Sequence, residues 1–156
     1  MAKNGVPIYP FNNDTGDSVW KNCEADYCNA HAGKGEDYHY HGDPYGSKCI
    51  YKDSDYSGDH PPKIGMGMDG YTIYGRHIRS GMEGSTVDLD DCNGHTHGSY
   101  GYHYHADQRQ VTAQLVGTNS DTTYTEYHVG PSICWGGNIN NISNFWDPNV
   151  VKSDGT

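Results

Sequence analysis

The sequence contains the tetrapeptide Tyr-His-Tyr-His twice, at residues 38–41 and again at residues 102–105. Each copy is preceded, ten residues upstream, by Cys-Asn, a small residue and His, at residues 28–31 and 92–95. Every matching position has the same offset of 64 residues. Identical spacing of so many informative residues predicts a duplicated unit, although two copies are too few for a solenoid.

The alternation within the tetrapeptide predicts a β-strand with one tyrosine face and one histidine face. Successive side chains of a strand point to opposite sides, so Tyr38 and Tyr40 share one face while His39 and His41 share the other. The two imidazoles then lie roughly 6–7 Å apart at the Cα level, and both can reach one metal ion. A turn in the six intervening residues can bring His31 back to this pair.

The histidines of the two copies therefore predict two three-histidine metal sites. The predicted ligands are His31, His39 and His41 in the first copy and His95, His103 and His105 in the second. Two alternatives stay open: the copies share one larger cluster, or the histidines form a polar network without metal. Imidazole favours a divalent transition metal, and we expect copper or zinc. The residues expected to support the ligands from outside are Asp69, Tyr38, Tyr40, Tyr102 and Tyr104.

Further segments surround the two tetrapeptides in a fixed order. Residues 68–75 read Met-Asp-Gly-Tyr-Thr-Ile-Tyr-Gly, and residues 89–95 read Leu-Asp-Asp-Cys-Asn-Gly-His. Together with the tetrapeptides they resemble the YHYH-domain family, which comprises secreted or surface domains of bacteria and some eukaryotes, largely without an assigned activity. The resemblance covers most of the chain, from Cys28 to Gly136. It implies a β-rich domain whose repeated histidines are its signature, and it implies no reaction.

The composition predicts a mostly β fold with a small core. The 156 residues suffice for one domain, but only 33% are apolar, and 14 tyrosines stand against two phenylalanines. No window of ten or more residues has convincing helical periodicity, and residues 108–116, a short helix or a strand, favour a strand. Asp69-Gly70 between two short apolar runs predicts a hairpin turn. We predict a small, disulfide-stapled, loop-rich β-sheet domain built on two pseudo-repeated units.

Five cysteines in a domain with a small core predict disulfides and an oxidising compartment. If the two copies are stapled alike, Cys28 pairs with Cys49 and Cys92 with Cys134, which leaves Cys23 unpaired. Other pairings stay open, because any four of the five cysteines allow three connectivities. The sequons at Asn13 and Asn141 are typical of a secreted glycoprotein. The predicted location is extracellular or at the cell surface.

The charge pattern disfavours two classes of partner. The formal net charge is −10, and the ten lysines and arginines are scattered, so neither nucleic acid nor an anionic membrane surface is expected. The sequence contains no run of 18 apolar residues, so no membrane-spanning helix is expected. The spacing of Asp53, Asp55 and Asp59 is similar to that of a calcium loop but lacks the terminal glutamate. A solvated acidic loop is therefore favoured over an irregular calcium site.

Three segments are expected along the chain. Residues 1–20, punctuated by Pro7 and Pro10, predict an extended arm that docks on its own domain or adds to the sheet edge of a neighbour. Residues 21–137 form the domain, and residues 138–156 a tail packed on the body or on a neighbour. Docking on a neighbour would produce self-association and, where the contact does not close, a filament.

The favoured function is an extracellular structural domain with a histidine-rich metal site, in the form of a self-assembling subunit of a surface fibre. One alternative is a secreted metalloenzyme, either a zinc hydrolase or a copper redox enzyme, with Asp69 or Asp91 as a base. Another is a metal scavenger that releases its ion when the histidines become protonated. The structural role is favoured because it needs only an ordered arm, disulfides, sugars and ions held by histidines. The sequence has no nucleophile elbow, phosphate loop or paired-glutamate motif, which disfavours other kinds of catalysis.

Overall fold

The computed structural model describes residues 1–33, 35–77, 81–131 and 134–137, and within them the fold is mostly β, as predicted. A single 3₁₀ turn at Asp53–Asp55 is the helical element of the described residues. The strands are β1 (Ala30–Gly33), β2 (Asp37–Tyr40), β3 (Lys63–Met66), β4 (Thr72–Arg76), β5 (Gly94–Thr96), β6 (Tyr102–Gln114) and β7 (Asp121–Val129). Among the described residues, no helix has the length and hydropathy that a membrane crossing requires.

The strands form two sheets. Strands β1 and β2 pair as an antiparallel hairpin, and the other five form a sheet in the order β3-β4-β6-β5, with β7 also paired to β6. The central strand, β6, is parallel to β4 and antiparallel to β5 and β7. Strands β3 and β4 flank the predicted Asp69-Gly70 turn. Residues 108–114 belong to β6, so the strand prediction is confirmed and the helix alternative is wrong.

The two tetrapeptide copies adopt the same local hairpin. His31 lies opposite His39 in the register of β1 and β2, and His95 lies opposite His103 in that of β5 and β6. Asn29 has a φ of 57° and Asn93 a φ of 62°, so an asparagine in the left-handed region precedes each first strand. The surroundings differ, because the first hairpin is a separate sheet and the second lies within the five-stranded one.

An aspartate holds each hairpin in the same way. One carboxylate oxygen of Asp26 accepts the amides of Cys28 and Ala30, at 2.8 and 3.1 Å, and the other accepts the Tyr38 hydroxyl at 2.8 Å. Asp90, 64 residues later, accepts the equivalent groups of the second copy, at 2.9, 2.9 and 2.8 Å. The hairpins that carry the histidines are therefore fixed from their tyrosine faces.

Two disulfides staple the loops that surround the hairpins. Cys28 is bonded to Cys49, and Cys92 is bonded to Cys134, which is the pairing expected if the two copies are stapled alike. Cys23 is free and exposed, as predicted for the unpaired cysteine.

The apolar core is small and includes tyrosine rings. Its main cluster consists of Tyr51, Ile64, Ile73, Tyr104, Ala106 and Val129, all buried. Four further buried residues, Ala2, Cys28, Ala30 and Tyr40, form a second cluster beside the first hairpin. A core of this size contributes limited hydrophobic free energy, so the disulfides matter for stability.

The N-terminal arm packs along its own domain. Ala2 forms a bridge with Gly65, and Ile8 forms one with Tyr40, while the Tyr9 amide donates to the Tyr40 carbonyl at 2.8 Å. Of the two docking options, the arm takes the one on its own domain, and a contact with a neighbouring chain stays a prediction. The predicted tail, residues 138–156, and the sequon at Asn141 lie outside the described residues.

Candidate metal centres

The histidines of the first copy converge on one point, which we call the outer centre. His31 lies on β1, His39 on β2, and His41 directly follows β2. Their Nε2 atoms are separated by 3.0 Å (His31–His39), 2.9 Å (His39–His41) and 3.0 Å (His31–His41). This is the ligand set that the sequence predicts, and its geometry suits a metal ion.

Hydrogen bonds at the far side of two of these rings fix their tautomer. His39 Nδ1 lies 2.6 Å from the Asp37 carbonyl oxygen, and His41 Nδ1 lies 2.5 Å from that of Pro10. A carbonyl oxygen only accepts, so each Nδ1 carries the proton and each Nε2 of a neutral ring presents a lone pair. Metal-binding histidines are typically oriented by such a bond.

Lone pairs that face one another at this distance repel unless a cation lies between them. His31, His39 and His41 would hold such a cation, which would act there as a Lewis acid. Three imidazoles are one ligand fewer than a closed four-coordinate zinc site has.

The outer centre opens onto a cavity of about 650 Å³. Besides the three histidines, its wall includes Asn12, Asn13, Asp14, Glu24 and Asp37. The Tyr9 ring packs against His39 with a centroid separation of 4.4 Å. Gly33 lies so close to that histidine that an added Cβ would be 2.9 Å from its Cε1 atom. Ring and glycine together restrict the movement of His39.

Two histidines of the second copy, His103 and His105, form a group with His60 and His97. We call this four-histidine group the inner centre. His103 Nε2 lies 3.0 Å from His105 Nε2 and 3.2 Å from His60 Nε2. The ring of His97 lies 4.9 Å from that of His103 and 5.2 Å from that of His60. All four side chains are buried. Four imidazoles match the number of ligands in a closed tetrahedral site.

The inner rings show the same tautomer control as the outer ones. His103 Nδ1 donates to the Gly101 carbonyl at 2.8 Å, and His105 Nδ1 donates to the Gly75 carbonyl at 2.8 Å. His60 Nδ1 donates to its neighbour Pro61 at 3.1 Å. The Nε2 lone pairs of these three rings are therefore directed at one another.

His95, the third predicted ligand of the second copy, lies beside the inner centre. Its Nδ1 donates to the Val87 carbonyl at 2.9 Å, while its Nε2 is buried without a hydrogen-bond partner. Its ring lies 4.9 Å from His103 and 5.0 Å from His105. The second copy thus contributes three neighbouring rings, but the four-histidine group forms with His60 and His97. The alternative of one cluster shared by both copies is not what the structure shows.

Burial lowers the pKa of several of these imidazoles and so favours their neutral form. It lowers the pKa of His105 to about 2 and the pKa of both His95 and His103 to about 4, against an ordinary value of 6.5. The pKa of His60 is also lowered by burial, as is that of His41 in the outer centre. Neutral imidazole is the form that binds a metal, so these rings are ready to ligate at neutral pH.

The predicted supporting residues lie elsewhere. Asp69 accepts a hydrogen bond from the Tyr104 hydroxyl and one from the Gly137 amide at 3.1 Å, so the prediction that it orients a histidine is wrong. The other tyrosines likewise bond away from the imidazoles: Tyr38 to Asp26, Tyr102 to Asp90, and Tyr40 to Asn4. The tyrosine face anchors the hairpins, and backbone carbonyls orient the histidines.

Two ligand candidates were not predicted from the sequence. His60 belongs to the polar loop at residues 50–63 and has no counterpart in the other copy. His97 follows β5 and likewise lacks a counterpart, so the offset of 64 residues gave no signal for either. A further histidine, His77, is buried, and its Nε2 donates to the Val87 carbonyl at 2.7 Å.

Other predicted sites have less support. In the described ranges, the groups of three or more histidine, cysteine or acidic side chains that could hold an ion are the two histidine centres, and Asp53, Asp55 and Asp59 form no such group. Asp55 instead accepts the Lys52 amide at 3.0 Å. The side-chain nitrogen of Asn13, the predicted glycosylation atom, donates to Glu24 at 3.1 Å.

Comparison with known proteins supports the resemblance seen in the sequence. The family model described as YHYH protein matches residues 2–88, more than half of the chain, and the match includes the first tetrapeptide and the ligands of the outer centre. No curated protein and no solved structure matches the chain. The chain belongs to the YHYH protein family.

Proposed function

We propose that this domain binds two transition-metal ions, one at the outer and one at the inner centre, and serves as an extracellular structural module. The observation that carries the proposal is the convergence of Nε2 lone pairs from rings whose Nδ1 atoms already donate to backbone carbonyls. In a hydrogen-bonded network of neutral histidines, one nitrogen of each close pair must carry a proton. In these rings the single N–H proton is on Nδ1 and already bonded to a carbonyl, so the close Nε2 atoms have no proton to donate. Copper and zinc are the favoured ions because they accept imidazole ligands.

An ion in the inner centre would connect distant parts of the chain. His60 comes from a loop, His97 directly follows β5, and His103 and His105 lie on β6. Holding these segments on one ion stabilises the folded state, because the unfolded chain does not offer a preformed site. This effect is large for a domain with so small an apolar core, and it supports a structural role.

The stoichiometry of bound metal tests the proposal. We expect the metal-free chain, titrated with Zn²⁺ or Cu²⁺ and then freed of excess by gel filtration, to retain two ions by mass spectrometry. The variant His39→Ala should retain one, and so should His60→Ala, which changes a loop residue rather than the central strand. A chain that retains no ion, or variants with unchanged stoichiometry, would overturn it.

Two disulfides support the extracellular location. Bonds such as Cys28–Cys49 and Cys92–Cys134 form and persist in oxidising compartments and are rare in the cytosol. Fractionation of cells that produce the protein, with thiol labelling under denaturing conditions, tests this. We expect the chain in the medium or at the surface with one labelled cysteine, Cys23.

We further propose that copies associate through the N-terminal arm. The arm holds its place through a few backbone contacts, such as the Lys3 amide to the Ile64 carbonyl at 2.8 Å, and the same groups of a neighbour would be equally good partners. Light scattering should show species larger than a monomer for the full chain and a monomer for a chain lacking residues 1–6. A monomer in both cases would refute the association.

A secreted metalloenzyme is the second candidate, and the cavity at the outer centre favours it. A carboxylate near a metal-bound water can serve as a general base, and Glu24 and Asp37 both line the cavity. The zinc-loaded chain should then hydrolyse activated esters, or the copper-loaded chain oxidise phenols with dissolved dioxygen as the electron acceptor, and His31→Ala should abolish that activity. Equal rates for the two proteins would reject catalysis at this centre.

A further inference from the structure

The two centres differ in how many protein ligands they offer. The outer centre has three imidazoles, whereas the inner centre has four, with the Nε2 atom of His95 close by. Structural zinc sites have four protein ligands, and sites that react with solution ligands have three and an open position. By ligand count alone, an ion in the outer centre is unsaturated.

The two centres also differ in how exposed their histidines are to solvent. The Tyr100 ring stacks on His60 at a centroid separation of 4.0 Å, and the Tyr74 ring packs against the same histidine at 4.2 Å. All four inner histidines are buried beneath these rings. In the outer centre His31 is only half-buried, and the three histidines form part of a cavity wall. A small molecule from solution can therefore approach the outer centre directly.

The cavity wall selects the kind of molecule that enters. Asp14, Glu24 and Asp37 line it, and the described part of the chain places no lysine or arginine in this wall. Three carboxylates disfavour an anion near the ion, whereas water or a neutral donor meets no such repulsion. The Asn12 amide in the wall offers hydrogen bonds to a polar neutral ligand, whereas the Asn13 amide is already bonded to Glu24 and to the backbone of its own turn.

From these observations, and resting on the proposed metal binding, we infer that the ion of the outer centre keeps an exchangeable position for a small neutral nitrogen or oxygen donor, while the ion of the inner centre accepts no ligand from solution. The bound ion supplies the attraction, and the acidic wall excludes anionic competitors. The outer centre is then a ligand-binding site, and the inner centre stabilises the fold.

Spectroscopy of the Co²⁺-loaded chain tests this inference, with imidazole as the neutral probe and azide as the anionic one. The visible spectrum of Co²⁺ responds to a change in its coordination. We expect imidazole to change the spectrum of the wild-type chain with a stoichiometry of one per chain, and azide to require at least tenfold higher concentration. The matched variant His31→Ala should keep one ion and show no change with either probe.

The possible outcomes are distinguishable. Two bound ions and a spectrum that imidazole leaves unchanged would overturn this inference and leave the proposed metal binding intact. The same imidazole response in His31→Ala as in the wild type would also overturn it, because the ligand would then reach the inner ion. A chain that binds no Co²⁺, Zn²⁺ or Cu²⁺ would overturn both. Should His31→Ala fail to fold by circular dichroism, His41→Gln serves as the second variant.

Discussion

The Nε2 atoms of His39 and His41 lie 2.9 Å apart, although the Nδ1 atom of each ring donates to a backbone carbonyl. In neutral rings, both facing nitrogens then carry lone pairs, and neither has a proton to donate. The same relationship holds between His103 and His105 at 3.0 Å. Carbonyl acceptors supplied by the backbone thus prepare two pairs of nitrogens for a cation.

The first prediction concerns these tautomers. In the metal-free chain at pH 8, the imidazole nitrogen shifts measured by NMR should show the Nδ1–H form for His39, His41, His103 and His105. His77 is the internal control, because its Nε2 donates to the Gly84 and Val87 carbonyls and should carry the proton. An Nε2–H form at any of the four rings would contradict the geometry of the centres.

The second prediction is that the metal-free fold loses stability below pH 6.5. His95, His103 and His105 have folded-state pKa values of about 4, 4 and 2, so they stay neutral while the unfolded chain, near 6.5, takes up protons. Lower pH therefore favours unfolding, by about 1.4 kcal/mol per pH unit for each histidine once the pH is well below 6.5. The loss ends for each residue near its folded-state pKa.

Urea denaturation with a chelator present measures this effect. We expect the midpoint to fall clearly between pH 7.5 and pH 5, and to change little between pH 7.5 and pH 8.5. Saturating Zn²⁺ at pH 7.5 should raise the midpoint, because the ion binds the folded state alone. An identical midpoint at pH 7.5 and pH 5 would show that the imidazoles are not buried as the structure describes.

The third prediction concerns the disulfides. The bridges Cys28–Cys49 and Cys92–Cys134 close segments with separations of 21 and 42 residues. Loss of loop-closure entropy in the unfolded chain predicts stabilisation of about 3 and about 4 kcal/mol, respectively. The double variants Cys28→Ser/Cys49→Ser and Cys92→Ser/Cys134→Ser should lose roughly these amounts in urea denaturation. The exposed Cys23, changed to Ser, is the control and should leave stability unaltered.

The ligands of the outer centre could be predicted from the sequence because they are close together along the chain. Its three ligands lie on one hairpin and its continuation, so strand alternation and a short turn suffice to bring them together. The inner centre depends on contacts between distant residues, such as His60 and His103, which the parallel pairing of β4 and β6 brings together. No spacing rule reports such a contact.

The duplication in the sequence also includes an aspartate in each copy that was not counted among its matching residues. Asp26 and Asp90 obey the same offset of 64 residues, two positions before Cys28 and Cys92. Their role follows only from the structure, where each accepts two amides and a tyrosine hydroxyl. Asp69, expected from the sequence to support the histidines, accepts a hydrogen bond from the Tyr104 hydroxyl instead.

The fourth prediction is that changing Asp26 weakens metal binding at the outer centre alone, and changing Asp90 at the inner centre alone. In Asp26→Ala, the amides of Cys28 and Ala30 and the Tyr38 hydroxyl lose their acceptor, and the hairpin that sets His31 opposite His39 loosens. Loss of a hydrogen bond made directly to a ligand typically reduces metal affinity by about 10- to 100-fold. Asp26 bonds to the hairpin and not to a histidine, so we expect the affinity of the outer centre to fall by up to about tenfold, measured by competition with a chromophoric chelator, and that of the inner centre to stay unchanged.

Asp90→Ala is the matched variant and should give the reverse result, because it loosens the hairpin that sets His95 opposite His103. Asp26→Asn keeps the carbonyl-type acceptor for the two amides and should restore most of the outer affinity. If Asp26→Ala weakens both centres equally, the change acts through global stability, and the aspartates do not position the ligands individually.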